Sequence, residues 1–78
     1  MTLTELKVGA RGLVEAIILR GQDQGLALRL EAMGLVPNKS VTVLRKASFG
    51  GPLHIRVGTT TELMIRRQEA DLVMIRTH

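Results

Sequence analysis

LALRLEAMGLVPN, residues 26–38, is the one segment of this 78-residue chain that repeats with the period of a helix. Leu26, Leu30 and Met33 recur at i, i+4 and i+7, and at 100° per residue Leu30 and Met33 fall within about 40° of Leu26. Gly34 stands where a left-handed C-cap belongs, and Pro37 forbids continuation. Downstream of Lys39 the period changes to two, with Gly and Pro as punctuation. This contrast sets the fold class: mostly β, with one short helix that helps to close the open side of a sheet.

Working outward toward the C-terminus, Pro37-Asn38 reads as a turn, since Asn tolerates positive φ. Val41 and Val43 alternate with Thr42 in a strand that ends near Ala47. Ser48-Phe49-Gly50-Gly51-Pro52 is the most loop-like segment of the chain. Leu53, Ile55 and Val57 face one way, with His54 and Arg56 on the other face. Gly58 opens a hairpin turn, Leu63 and Ile65 mark a fourth strand, Gln68–Asp71 makes a helical turn, and Leu72–Ile75 is a fifth strand.

Toward the N-terminus, GQDQG at 21–25 is a polar loop in which Asp23 would cap the helix. The run from Leu13 to Arg20 is apolar and β-branched, but Val14 and Ile17 are three apart. A bulge or strong coiling of this first strand would reconcile that spacing with a sheet. Thr2-Leu3-Thr4-Glu5 has the form of a capping box, and Gly9 and Gly12 would end its helix after one turn. Leu3 and Leu6 then fold back as a lid on the core. Five short strands in so few residues predict a small closed or nearly closed barrel, because closure removes unpaired edges.

Residues 1–78 form one domain on this reading, with no room for a second core. A core this size yields roughly 3–5 kcal/mol of net stability without staples, and there are no cysteines to add disulfides. Cysteine-free composition fits a reducing cytoplasm, and the first thirty residues lack the pattern of a signal peptide. The longest apolar run, Ala16–Leu19, is far short of the ~20 residues that span a bilayer, so no direct membrane insertion is expected. Net charge is +4, yet the basic residues are interleaved with acidic ones, and only Arg45-Lys46 and Arg66-Arg67 are adjacent. That pattern is a solvated surface rather than a nucleic-acid arm.

In order along the chain, Leu3, Leu6, Gly9 and Gly12, Val14 and Ile17, Arg29-Leu30, Met33-Gly34-Leu35 and Pro37 resemble the FeoA family of bacterial ferrous iron uptake. The resemblance continues through Val41, Val43, Gly50, Pro52, Leu53, Ile55, Val57, Leu63, Ile65-Arg66, Glu69-Ala70, Val73 and Ile75, covering almost the whole chain. Two positions depart from the family pattern: Asn38 stands in place of the usual Gly after Pro, and Gly51 in place of a frequent Asp. The resemblance implies an SH3-like barrel of about five strands. It implies a cytoplasmic protein, recruited to the inner membrane by its partner, the FeoB-type GTPase and transporter. It also links the chain to transition-metal transport.

The residues themselves argue against catalysis and against bound cofactors. No G-x-x-x-x-G-K-[ST] loop is present to cradle phosphates. Asp23, Glu31 and Glu62 form no recognisable acid/base pair, and Ser40 and Ser48 lack a nucleophile motif. His54 and the C-terminal His78 are isolated, so no metal ligand set is expected, and His54 reads as an exposed strand residue. With one Phe and neither Tyr nor Trp, the chain lacks the aromatic groove that grips PxxP peptides and the stacking platform that binds single-stranded nucleic acid.

What these exclusions leave is an adaptor with an aliphatic and basic contact surface, and weak self-association is compatible with it. The alternative is a free-standing SH3-like regulatory domain related to those of iron-dependent DtxR-type repressors. Leu28 and Ala32 lie opposite the core-facing strip of the helix, with Arg29 at the edge, and these three are the expected partner-binding residues. Phe49 is the fourth candidate: core filler under the barrel end, the commoner role of a lone aromatic, or a contact offered to the partner.

Overall fold

The Glu5 carboxylate accepts a hydrogen bond from the Thr2 N–H (2.7 Å), and Leu3–Glu5 closes a single 3-10 turn. Leu3 and Leu6 are both buried, so this turn is the lid that its spacing predicts. The structure is a computed structural model that describes residues 1–18 and 24–77. Strand β1 (Arg11–Ile17), helix α1 (Gln24–Ala32), strands β2 (Ser40–Lys46), β3 (Leu53–Val57) and β4 (Thr61–Ile65), helix α2 (Arg67–Ala70) and strand β5 (Val73–Arg76) follow. The GQDQG loop is described only from Gln24, and the proposed cap Asp23 lies outside the described residues, as does His78.

All strand pairings are antiparallel in one sheet of order β4-β3-β2-β1-β5. Alternation puts Leu53, Ile55 and Val57 inside and leaves His54 and Arg56 on the outer face. The spacing of Val14 and Ile17 is resolved by a bulge: the register of β1 on β5 shifts between Val14 and Ala16. A second shift occurs in β2, between Val43 and Arg45. These two bulges coil the sheet around a core of Leu3, Leu6, Val14, Leu30, Leu35, Val41, Val43 and the inward residues of β3, β4 and β5.

Two sequence expectations need correction. The first strand begins at Arg11 rather than Leu13, because Gly12 does not stop the preceding turn but joins the strand, pairing with Val41. A Cβ on Gly12 would overlap the Ile75 side chain, so the bare glycine lets β1 and β5 approach. The barrel is also not closed, since β4 and β5 do not pair with each other. Helix α2 fills the connection between them. The outer edge of β5 is taken instead by the first two residues, through a Thr2–Met74 bridge and an Ile75 N–H donated to the Met1 carbonyl (2.7 Å).

Helix α1 stops as its sequence predicts. Gly34 takes φ +94°, a conformation that costs an L-residue with a Cβ roughly 1–2 kcal/mol. Around it the Leu35 N–H reaches the Leu30 carbonyl (3.1 Å) and the Gly34 N–H reaches the Glu31 carbonyl (2.9 Å), the paired bonds of a Schellman cap. Leu30 and Leu35 are both fully buried, which supplies the hydrophobic contact of that motif. Asn38 also has positive φ, at 71°.

Candidate functional site

Helix α1 presents three different flanks. Leu30 is buried and Leu26 and Met33 pack partly on the core, fixing the helix by that face. Ala27, Leu28 and Glu31 lie to one side of it. There Ala27 and Glu31 border a groove of about 340 Å³ shared with Glu15, Ala16 and Ile17 of β1 and with Leu35, Val36 and Pro37 of the turn after the helix. A second hollow of about 280 Å³, lined by Gln24, Ala27, Leu28 and Glu31, adjoins the groove through Ala27 and Glu31. Leu28 is 68 % exposed at this margin and Val36 38 %. The groove is largely aliphatic, as expected of the contact surface, but acidic rather than basic, since the two ionisable residues that line it are Glu15 and Glu31.

Arg29 leaves on the opposite side of α1. Its guanidinium pairs with the Glu69 carboxylate of α2. Glu69 is buried, and its other oxygen accepts the Arg66 N–H at 3.0 Å. This ion pair ties the long helix to the short one. The structure thus keeps Leu28 and Ala32 exposed, and directs Arg29 away from the groove toward α2. Glu69 was not singled out as a functional position from sequence. The usable signal was its place three residues after Arg66 at the start of a helical turn, where a carboxylate reaches back to a free amide.

Phe49 is not core filler. It is fully exposed, at φ +60°, on the loop between β2 and β3. Phe49 and Gly50 are both left-handed, and the reversal is closed by Gly51 N–H to Ser48 carbonyl (3.2 Å) and Ala47 N–H to Pro52 carbonyl (3.0 Å). Two successive residues of that hand turn the ring outward. Below the loop, the Arg67 side chain passes 3.8 Å from where a Cβ on Gly50 would sit. Helix α2 therefore touches the Phe49 loop through Arg67 and α1 through Glu69.

On the outer face of the sheet, Glu62 of β4 accepts from Arg56 (3.1 Å) and lies 3.1 Å from His54 Nε2. The hydrogen bond from Arg56 holds the Glu62 carboxyl below the usual carboxylate range. His54 is half-buried, so it is less exposed than its strand position suggests. Among the described residues no three His, Cys, Asp or Glu side chains converge as metal ligands would, and no helix is long and apolar enough to cross a membrane.

A sequence profile of the FeoA domain matches residues 1–77. The chain belongs to the FeoA family. Among solved FeoA structures, the solution structure of the FeoA protein from Chlorobium tepidum superposes with TM-score 0.85 at 31% identity, covering 99% of this chain and 70% of that one. The zinc complex of Stenotrophomonas maltophilia FeoA superposes with TM-score 0.82 at 33% identity, covering 97% of this chain and 89% of that one. That protein is described as a procaryotic SH3 domain and a candidate activating factor for ferrous iron transport. No curated protein matches the chain. The FeoA fold is also found within a manganese-dependent transcriptional repressor, with TM-score 0.87 at 15% identity over 100% of this chain and 36% of the repressor. That likeness is one of fold. Family and architecture agree: five antiparallel strands and a short helix make the SH3-like FeoA domain, linked to ferrous iron transport.

Proposed function

We propose that this chain is a non-catalytic adaptor of ferrous iron uptake that docks on the cytosolic part of a FeoB-type transporter through the margin of α1. The observation that carries the reading is Leu28, two-thirds exposed at a hollow that adjoins a largely aliphatic groove. A large exposed aliphatic side chain next to a preformed hollow gives a partner apolar surface to bury, and Glu15 and Glu31 would select a partner with basic residues at its rim. Ala32 extends the exposed strip along the helix. Phe49 offers a second contact from the far side of α2. Arg29 contributes by holding α1 to α2 and so fixing the angle at which Leu28 is presented.

The test compares Leu28→Asp with Leu30→Asp. Leu28→Asp keeps the fold and abolishes both association with the solubilised transporter and complementation of iron uptake, whereas Leu30→Asp unfolds the domain. A folded Leu28→Asp protein with full uptake would remove the docking site from α1. The regulatory-domain alternative draws on the repressor likeness, which at that identity is shared by both readings and favours neither.

A further inference from the structure

Strand β4 is the bare edge of the sheet. Among the described residues it pairs only with β3 and packs extensively on no other element, whereas the outer edge of β5 carries Met1 and Thr2. In an antiparallel strand successive residues send their N–H and C=O groups to opposite sides, so half of the β4 backbone faces outward without a strand to receive it. Natural sheets blunt such edges with lysine, proline or a covering loop. Thr61-Glu62-Leu63-Met64-Ile65 contains neither lysine nor proline, and its single charge is engaged by Arg56 and His54 of the neighbouring strand.

The two faces of this edge differ. On the core side Leu63 is half-buried and packs on the core margin. On the outer side the register sets Arg45, His54 and Met64 side by side across β2, β3 and β4. With Lys46, Ala47 and Pro52 they line a hollow of about 270 Å³. Met64 is 56% exposed there, and the ionisable residues of the lining are all basic. Arg45, and Arg66 just beyond β4, have no ion-pair partner among the described residues.

We propose that β4 receives an extended acidic segment of a partner protein as a sixth strand, with apolar side chains beside Leu63 alternating with carboxylates beside Met64. Strands lie about 4.8 Å apart, so a residue beside Met64 sits roughly 10 Å from His54 at the backbone, within reach of two facing side chains. Backbone hydrogen bonds supply the affinity of such an addition, and the alternating rows supply its specificity. A second copy of this chain fits less well. Its β4 brings one carboxylate that is already engaged, on a molecule that also carries +4. A nucleic acid would satisfy the basic rim but leave the backbone edge and Leu63 unused. This site is separate from the α1 groove and stands whether or not that groove docks a transporter.

The probe is the peptide acetyl-Thr-Val-Glu-Val-Glu-Val-Thr-amide, titrated into the isotope-labelled full chain and followed by NMR. Saturable shifts are expected at the amides of β4, His54 and Arg45, with slowed hydrogen exchange at alternate β4 amides and affinity that falls as salt is raised. Arg66→Glu, an exposed change at the end of the β4 row whose spectrum reports its own fold, weakens binding at least about tenfold, Arg45→Glu weakens it less because Arg45 lies a further strand away, and the peptide with Lys in place of Glu does not bind. Methylating the peptide nitrogens, either at the valines or at the glutamates, leaves the protein untouched and abolishes binding in one of the two phases. No shift at about 1 mM peptide, the affinity of the weakest specific contacts, would overturn the proposal. Equal binding of the Lys peptide would do the same. So would the same resonances moving on concentrating the protein alone, which would put a second copy on the edge, or responding more tightly to a single-stranded oligonucleotide or an anionic vesicle.

Discussion

Replacing Arg29 by alanine leaves the Glu69 carboxylate almost sealed in protein with one remaining hydrogen bond, from the Arg66 N–H. Exposed ion pairs contribute about 0.2–1 kcal/mol. Breaking a buried pair by removing one partner costs about 3–5 kcal/mol, because a charge is stranded out of water. The Glu69 side chain is 7% exposed and that of Arg29 52%, so this pair lies between the two limits, and a coupling of about 1–2 kcal/mol is expected. The cycle consists of Arg29→Ala, Glu69→Gln and the double variant. Glutamine keeps an oxygen for the Arg66 amide and removes the charge. Urea unfolding followed by far-ultraviolet circular dichroism suits a chain with one Phe and no Trp or Tyr. With m near 1 kcal/mol/M for so small a domain, Arg29→Ala lowers the midpoint by about 1–2 M. A coupling below about 0.5 kcal/mol would make Arg29 a free surface charge. Unchanged stability together with weakened partner binding would return it to the docking face.

Truncating the two leucines of α1 separates its faces without a partner. Leu30→Ala should cost about 3–5 kcal/mol, most or all of the stability of so small a domain, and is read as lost native circular dichroism before any urea is added, whereas Leu28→Ala should cost less than about 0.5, read as a urea midpoint. Gly34→Ala should lose about 1–2 kcal/mol, since alanine must adopt φ +94° with its Cβ 3.2 Å from Val57 Cγ1. Phe49→Ala should leave melting nearly unchanged because the ring is fully exposed, and a loss of ~3 kcal/mol would mean that the ring packs inside. Glu62 titrates below the usual carboxylate range because Arg56 donates to it, so the stability it contributes is present above the ordinary value and lost as pH falls through the depressed one. Arg56→Ala should raise that titration in carbon-detected NMR, and an unmoved curve would show the bond to be absent in solution.

The periodic parts of this fold were legible because their period is local. Leu26, Leu30 and Met33 define a face with no knowledge of the sheet, Gly34 defines its end, and Leu53, Ile55 and Val57 alternate whatever they pair with. The break between Val14 and Ile17 even announced the bulge. What stayed hidden depends on distant pairs. Gly12 reads as a turn glycine until Ile75 is placed against it, and Arg29 reads as a surface charge until Glu69 arrives from another helix. A lone aromatic reads as core filler from composition, which carries no information on the backbone hand that turns Phe49 outward. For the candidate site, Leu28 and Ala32 were visible as apolar residues on the wrong face. The groove beside Leu28 was not, since β1 and the turn at Val36-Pro37 supply its other walls.

The seating of the N-terminal residues along β5 constrains the order in which the chain can assemble. Met1 and Ile75 are 74 positions apart, and β1 waits for the same last strand, whereas β2, β3 and β4 meet through short local connections. Loop closure makes such end-to-end pairing the late and slow step. During synthesis the β2-β3-β4 meander can form while the first strand is held open, its outer edge bare until residues 73–76 emerge. Both ends of the chain then meet along β5 in a single closing event, and the lid of Leu3 and Leu6 can settle only after it.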